Sequence, residues 1–419
     1  MKKYICLLLL LAISFGILTA CKPASAPQLN PIQNPKPQQV VDQKTDSVFL
    51  TAHKSLAVQL FQQSAKTSQG ENVLISPLSI QLALAMTANG TDGQTRQEME
   101  ALLGQGIPLE DLNAYLHTYT DSLPADQKAK LSIANSIWIR DQEGRLTVED
   151  NFLQTNANYY GAEVFKRSFD QTTVKEINNW TDANTDGMIP EILHEIPYAA
   201  VMYLINAIAF DAEWAKPYEE YAIRDGLFTT LSGEEQTVSM MHSSEYTYLD
   251  DGRATGFVKP YSGGKYSFAV LLPNEGEDLY NYIDSLTANG ITKTLRDAKD
   301  CEVIAQLPKF SYEYELTMNE MLKEMGMPTV FDSENADLSR LGHSTEGNLF
   351  ISQVLHKTFI QVDGMGTRAG AVTMVAVADG AAAITDFKEV IVDRPFVYMI
   401  LDNENNLPIF IGCVTEITK

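Results

Sequence analysis

The sequence predicts an α+β protein in which one strand-like stretch is held apart from the rest. Three observations carry that reading. Ser47 to Gln69 sets Val48, Leu56, Leu60 and Phe61 at helical spacing and ends at Gly70. Leu204-Ile-Asn206-Ala-Ile-Ala-Phe210 is a near-continuous apolar run, as expected of a central strand buried on both faces. Gly364 to Ile384, GMGTRAGAVTMVAVADGAAAI, is apolar and β-branched from Val372 to Val377, holds no aromatic residue, and carries only Arg368 and Asp379 as charges. A connection of that length without turn chemistry is usually functional or disordered. Disordered chain is richer in charge, Pro and Ser, so this stretch reads as a strand with no evident partner.

From the N-terminus, Lys2 and Lys3 precede an apolar run through Leu18 that is short for a stable membrane span. Residues 1–20 therefore read as a secretory signal. The run closes on Leu18-Thr19-Ala20-Cys21, which resembles a bacterial lipobox. That resemblance implies a Cys21 acylated as the first mature residue, with ordinary cleavage before an unmodified Cys as the alternative. Several acyl chains on one residue would anchor the protein firmly. The expected location is then the bacterial cell envelope, on the outer membrane or cell surface. Residues 21–46 are rich in Pro, Gln, Ser and Ala without periodicity and read as a flexible tether.

The remaining body, 47–419, shows no second linker. A net charge of −23 argues against nucleic-acid or anionic-membrane binding by it. Of the four cysteines, Cys6 leaves with the signal and Cys21 takes lipid; Cys301 and Cys413 are expected as buried free thiols, with a disulfide between them as the alternative. Asn72-Val-Leu-Ile-Ser76-Pro77-Leu-Ser79-Ile80 reads as a short strand turning into a helix, with Ser76 at its cap and Pro77 in its first turn. Thr173 opens a further helix with Val174, Ile177 and Trp180 on one face, stopped by Asp186-Gly187. Asn89-Gly90-Thr91 is formally a glycosylation sequon and is read as a turn.

If the 364–384 stretch enters a sheet, alternate residues share a face. Thr367, Ala369, Ala371, Thr373, Val375 and Val377, all small or β-branched, form the face that can be buried; Arg368, Gly370, Val372, Met374 and Ala376 form the open one. Here the chain resembles the serpin family. The hinge of that family's exposed reactive loop matches Gly366-Thr367-Arg368-Ala369-Gly370-Ala371-Val372-Thr373, with Arg368 for the usual Glu and Val372 for an Ala, both on the open face. The Asn-x-x-x-Ser-Pro-x-Ser run at Asn72–Ser79, the Ile177–Trp180 helix, Leu307-Pro308-Lys309-Phe310, Arg394-Pro395-Phe396 and Ile409–Gly412 follow in family order to the C-terminus.

The resemblance implies helices packed on three β-sheets, with a reactive-centre loop at about 364–385. It implies a hydrogen-bonded cluster of Ser76, Ser79, Asn206 and His356 where two strands of the main sheet part. It places Trp214 at the top of that sheet, although Asp211-Ala212 replace the family's Lys-Gly before it. It also implies a reactive bond at Gly380-Ala381, counted from the hinge Gly366. The residues there are nearly all Gly and Ala, which suit the small pocket of an elastase-like serine protease or a papain-like cysteine protease. The expected function is suicide-substrate inhibition of such an endopeptidase by a monomer; a non-inhibitory serpin, acting as binding module or substrate, is the alternative.

Enzyme and cofactor readings fare worse. Gly364-Met-Gly366-Thr-Arg-Ala-Gly370 approximates a dinucleotide fingerprint, but the following chain is β-branched where that motif needs a helix. There is no G-x-S-x-G and no P-loop, and His194-Glu195 lacks the second His of a zinc helix. No catalytic residue, metal or cofactor is expected.

Overall fold

The computed structural model describes residues 35–123, 128–367 and 387–417. They belong to one compact unit spanning Pro31–Lys419. Its frame is three sheets, the smallest a two-stranded pairing of Leu146–Val148 with Gly342–Ser344. The six-stranded sheet runs in the order Phe310–Thr317, Leu355–Val362, Gly366–Thr367, Met202–Glu213, Ala129–Arg140, Glu163–Arg167. The nine-stranded one carries Val73–Ile75 at one edge and Phe387–Ile391 at the other, with Lys299–Pro308, Glu235–Asp250 and Ala254–Pro260 next inward from the latter.

The first helix, Ser47–Thr67, starts where Asp46 accepts hydrogen bonds from the Val48 and Phe49 amides at 2.9 and 3.0 Å. It buries Leu56, Leu60 and Phe61, while Val48, two residues beyond the cap and facing outward, stays exposed. The helix Pro77–Ala88 begins as its Ser-Pro start demands: Ser76 Oγ accepts from the Ser79 amide at 3.3 Å and Pro77 occupies the first turn. It is buried on nearly every side, which its almost wholly apolar sequence permits. The helix bearing Val174, Ile177 and Trp180 runs over Gln171–Asn184, two residues earlier than Thr173, because the Asp170 carboxylate caps the Thr172 and Thr173 amides. Past its end Asp186 and Gly187 both take positive φ.

The apolar run at Leu204–Phe210 is the middle of the strand Met202–Glu213, which pairs with Ala129–Arg140 from Met202↔Ile139 to Ala212↔Ala129. That ladder passes regularly through Asp211 and Ala212, so the missing Lys-Gly does not distort it. Residues 35–46 form neither helix nor strand, as a Pro/Gln-rich tether should, yet they lie on the body rather than clear of it. The Gln38 amide donates to Asn158 Oδ1 (2.8 Å), Gln154 Nε2 to the Lys36 carbonyl (3.0 Å) and the Gln43 amide to Thr118 Oγ1 (3.0 Å). Side chains of the helices Leu109–Ser122 and Asp150–Tyr160 thus satisfy backbone that has no ladder of its own. Cys413 is a buried free thiol pushed up to about 12 by burial, whereas Cys301, also free, is only half-buried near the end of an outer strand. Among the described residues no helix is long and apolar enough to cross a membrane. Cys21 lies outside the described residues.

Candidate functional site

The site begins where Leu355–Val362 ends. Asp363 turns the chain: its Oδ1 accepts from the Met365 amide at 2.8 Å and the Gly366 amide at 3.3 Å. Gly366 and Thr367 then fold back as a two-residue strand between Leu355–Val362 and Met202–Glu213, pairing Val362↔Thr367, Thr367↔Ala212 and Gly366↔Glu213. Glycine is required at 366, since a Cβ there would sit 2.0 Å from the Ala212 carbonyl oxygen. Thr367 is buried, and its Oγ1 hydrogen-bonds the Tyr261 hydroxyl. Burial raises the pKa of that hydroxyl, which stays protonated.

Trp214 holds this turn from below. Its amide donates to the Met365 carbonyl and its Nε1 to the Asp363 carbonyl, each at 2.8 Å, while the Tyr218 amide donates to the Gly364 carbonyl at 2.8 Å. The indole stacks on Tyr261 with centroids 4.6 Å apart and planes at 9°. Under both anchors lies an ion pair that the sequence reading missed. Lys259 Nζ is 2.7 Å from Glu245 Oε1, 4.3 Å from the Tyr218 ring centroid and 5.5 Å from that of Trp214, and the two charged side chains are 3% and 8% exposed. Burial lowers the lysine pKa, and the Glu245 carboxylate opposes that shift. No local pattern marks the pair, because its members sit on neighbouring strands separated by a turn.

Below Thr367, among the described residues, no backbone pairing joins Leu355–Val362 to Met202–Glu213. A cavity of about 350 Å³ opens between the lower parts of these strands and the helix Pro77–Ala88, lined by Ser79, Ile80, Leu84, Ile205, Asn206 and His356 among others. The four polar residues singled out from sequence meet here. The Ser76 amide donates to His356 Nε2 (3.2 Å), Ser79 Oγ to Asn206 Oδ1 (2.5 Å), and Asn206 Nδ2 to Asn135 Oδ1 (2.8 Å), which in turn leans on the Tyr160 carbonyl through its own Nδ2 (2.8 Å). Burial pushes His356 down to about 4, so it is neutral near pH 7 and its Nε2 is the accepting nitrogen. The start of one helix thus bridges two strands that do not bridge each other. Asn135 was not foreseen; it enters because the register sets it directly opposite Asn206. Arg368, Ala369, Gly370, Ala371, Val372, Thr373 and the Gly380-Ala381 bond lie outside the described residues.

A slotted sheet with a loop root seated at its top can be set beside known proteins. A family model described as serpin (serine protease inhibitor) matches residues 51–417. The chain belongs to the serpin family. This serpin is 30% identical over 381 residues to the leukocyte elastase inhibitor of Equus caballus, covering 86% of the chain and 97% of that inhibitor. Its structure resembles the thermophilic serpin tengpin in the native state, with TM-score 0.86, 47% identity, and 91% and 97% of the two chains covered. The latent state of tengpin gives TM-score 0.81 at 46% identity, with 90% and 100% covered. Membership confirms the helices and sheets of the serpin fold. It also corrects the plain expectation that the chain is no enzyme. The family includes protease inhibitors, and those members enter a protease's reaction as suicide substrates.

Proposed function

We propose that this serpin is a suicide-substrate inhibitor of serine endopeptidases with a small specificity pocket, of the elastase type, with papain-like cysteine proteases as a further class. One observation carries the reading. Gly366 and Thr367 already occupy the top of a slot whose flanking strands, among the described residues, do not pair with each other below them, so chain following Thr367 has a free ladder edge on each side. The target's nucleophile attacks the Gly380-Ala381 carbonyl and forms an acyl-enzyme. Cleavage frees the N-terminal part of the loop, which inserts between Leu355–Val362 and Met202–Glu213 and draws the enzyme with it. About thirteen or fourteen residues at ~3.3 Å each make a strand of roughly 45 Å, enough to carry the enzyme across the sheet. The cluster of Ser76, Ser79, Asn206 and His356 serves the opening, because compact polar groups exchange partners as the strands part. Acylation at Cys21 would tether this activity to the cell envelope, with residues 1–20 removed.

Incubation with an elastase, followed by electrophoresis after boiling in detergent, tests the reading. A band at the summed mass is expected. Complete loop cleavage with no such band under any ratio of the two proteins would assign the chain to the non-inhibitory serpins.

A further inference from the structure

The sheet that receives the far end of the loop carries an apolar and acidic outer face with no role in insertion. Its edge strand begins at Phe387 and pairs in parallel with Lys299–Pro308, setting Phe387 opposite Glu302 and Glu389 opposite Ile304. On the other side Ile304 stands opposite Ser244, so Tyr246, two residues along Glu235–Asp250, shares its face. One level therefore reads Ser244, Ile304, Glu389, with the Glu302–Phe387 pair beside it and Tyr246 next along its own strand, where a bulge between Asp300 and Val303 interrupts the ladder. Tyr246, Ile304 and Phe387 are 53%, 38% and 56% exposed, while the alternate residues Val303, Ala305 and Val390 are buried on the inner face. The lysines of the same strands are engaged elsewhere: Lys299 pairs with Asp250 at 3.6 Å, and Lys388 lies 6.0 Å from the Tyr248 ring centroid.

We infer that this face is a docking surface for the body of the protease, selecting enzymes whose active-site rim is basic with an apolar component. The inference rests on the proposed function and deepens it. Ala381 to Phe387 is six residues, a reach of about 20 Å at most. A protease of some 230 residues has a radius of gyration near ~17 Å, so an enzyme engaged on that bond overlies the strand starting at Phe387. Charge complementarity decides which enzymes gain from the contact. Glu389, exposed, and Glu302, half-buried, set two carboxylates among the apolar side chains, in a chain of net charge −23. Opposite charges steer encounter and raise the association rate, an effect that salt suppresses.

The experiment compares wild type, Glu302→Lys with Glu389→Lys, Tyr246→Ala with Ile304→Ala, and a control, Glu143→Lys with Asp150→Lys. The control makes the same change of net charge on exposed residues that follow the Arg140 end of the strand Ala129–Arg140, whose other end pairs beside Trp214. The second-order rate of loop consumption by one elastase of basic surface, and by an acidic serine protease with a similar pocket, is measured at about 50 mM and 500 mM salt. For the basic enzyme the charge reversal is expected to slow consumption roughly tenfold at low salt and little at high salt, against less than about twofold for the control. The apolar pair should slow it severalfold at both salt concentrations. Wild-type rates in both variants, or equal slowing by the control, overturn the inference. The readout counts loop cleavage and trapping together: a basic enzyme that cleaves without being trapped, yet shows the same pattern, removes the inhibitory reading and keeps the docking surface.

Discussion

Thr367 shows what one side chain decides. It is the last described residue before the loop, its side chain is buried against Tyr261, and the strand period places Ala369 and Ala371 on the same face. Thr367→Arg asks that pocket to accept an unpaired charge, at a cost of several kcal/mol. The expected result is a protein that proteases cleave without being trapped, whereas Arg368→Glu, on the open face, keeps trapping intact. The number of inhibitor molecules consumed per trapped enzyme measures both, and equal values for the two variants would show the register to be wrong. Lys259 and Glu245 pose a different residue-scale question. Lys259→Met leaves Glu245 buried without its partner and is expected to destabilise by about 3–5 kcal/mol, while pairing it with Glu245→Leu recovers most of that loss. Urea midpoints of the single and double variants decide; a double variant no better than the single one would mean that the pair adds more than mutual neutralisation. His356 gives the pH dependence. Its pKa falls from 6.5 free to about 4 folded, so the unfolded chain binds the extra proton between those values. Stability from this group is full above pH 6.5 and drains away as pH falls towards 4. His53, buried and likewise lowered to about 4, adds a second such term. His356→Asn should therefore reduce, without abolishing, the acid slope of the urea midpoint over that window.

Elements were legible where the signal is local. The Ser76-Pro77 helix start, the stop at Asp186-Gly187 and the strand through Leu204–Phe210 follow from capping groups, backbone preferences and burial that lie within a few residues of one another. Resemblance rather than periodicity brought Ser76, Ser79, Asn206 and His356 together, since no spacing links positions separated by 280 residues between Ser76 and His356. Asn135 and the Lys259–Glu245 pair were out of reach because each depends on a strand register that the sequence does not state. Residues 35–46 were legible as chain without a fold of its own, but not as chain with a resting place. There the contact depends on Tyr115, whose hydroxyl donates to Asp46 Oδ2 at 2.7 Å and accepts from Gln43 Nε2 at 3.1 Å. That hydroxyl is the foremost cause holding the Asp46 carboxyl below its usual range. Tyr115→Phe keeps the ring stacked on Phe49 and removes both bonds. A loss of about 1 kcal/mol is expected, together with faster amide exchange at Gln43. Unchanged exchange at Gln43 would mean that backbone contacts alone hold the segment.

At the scale of the whole molecule the six-stranded sheet has, among the described residues, an unfilled slot, which the proposed mechanism uses as a store of free energy. Leu355–Val362 and Met202–Glu213 each offer one ladder edge below Thr367 that no described strand fills, beside a cavity of about 350 Å³. A strand laid between them would add some twenty backbone hydrogen bonds, at about 1 kcal/mol net each. It would also bury the small side chains of the inward register. Ordering the inserted residues costs about 1–2 kcal/mol each and offsets much of that gain, so on the proposed mechanism the surplus comes from the added burial and a kinetic barrier must separate the uninserted form from the inserted one. On that mechanism, cutting the loop removes its tether at one end and with it the barrier. Protein cleaved within 378–384 is accordingly expected to melt far above intact protein, by some tens of degrees, although a covalent bond has been broken. Scanning calorimetry of the two forms, with intact-mass analysis of the released C-terminal fragment, joins the test of the store to the test of the bond. A fragment beginning at Ala381 together with a large rise is the expected pair of results. Fragments starting before Ala378 or after Thr385 would displace the reactive bond, and a cleaved form that melts at or below the intact one would remove insertion itself, leaving the slot as a property of the fold with no part in inhibition.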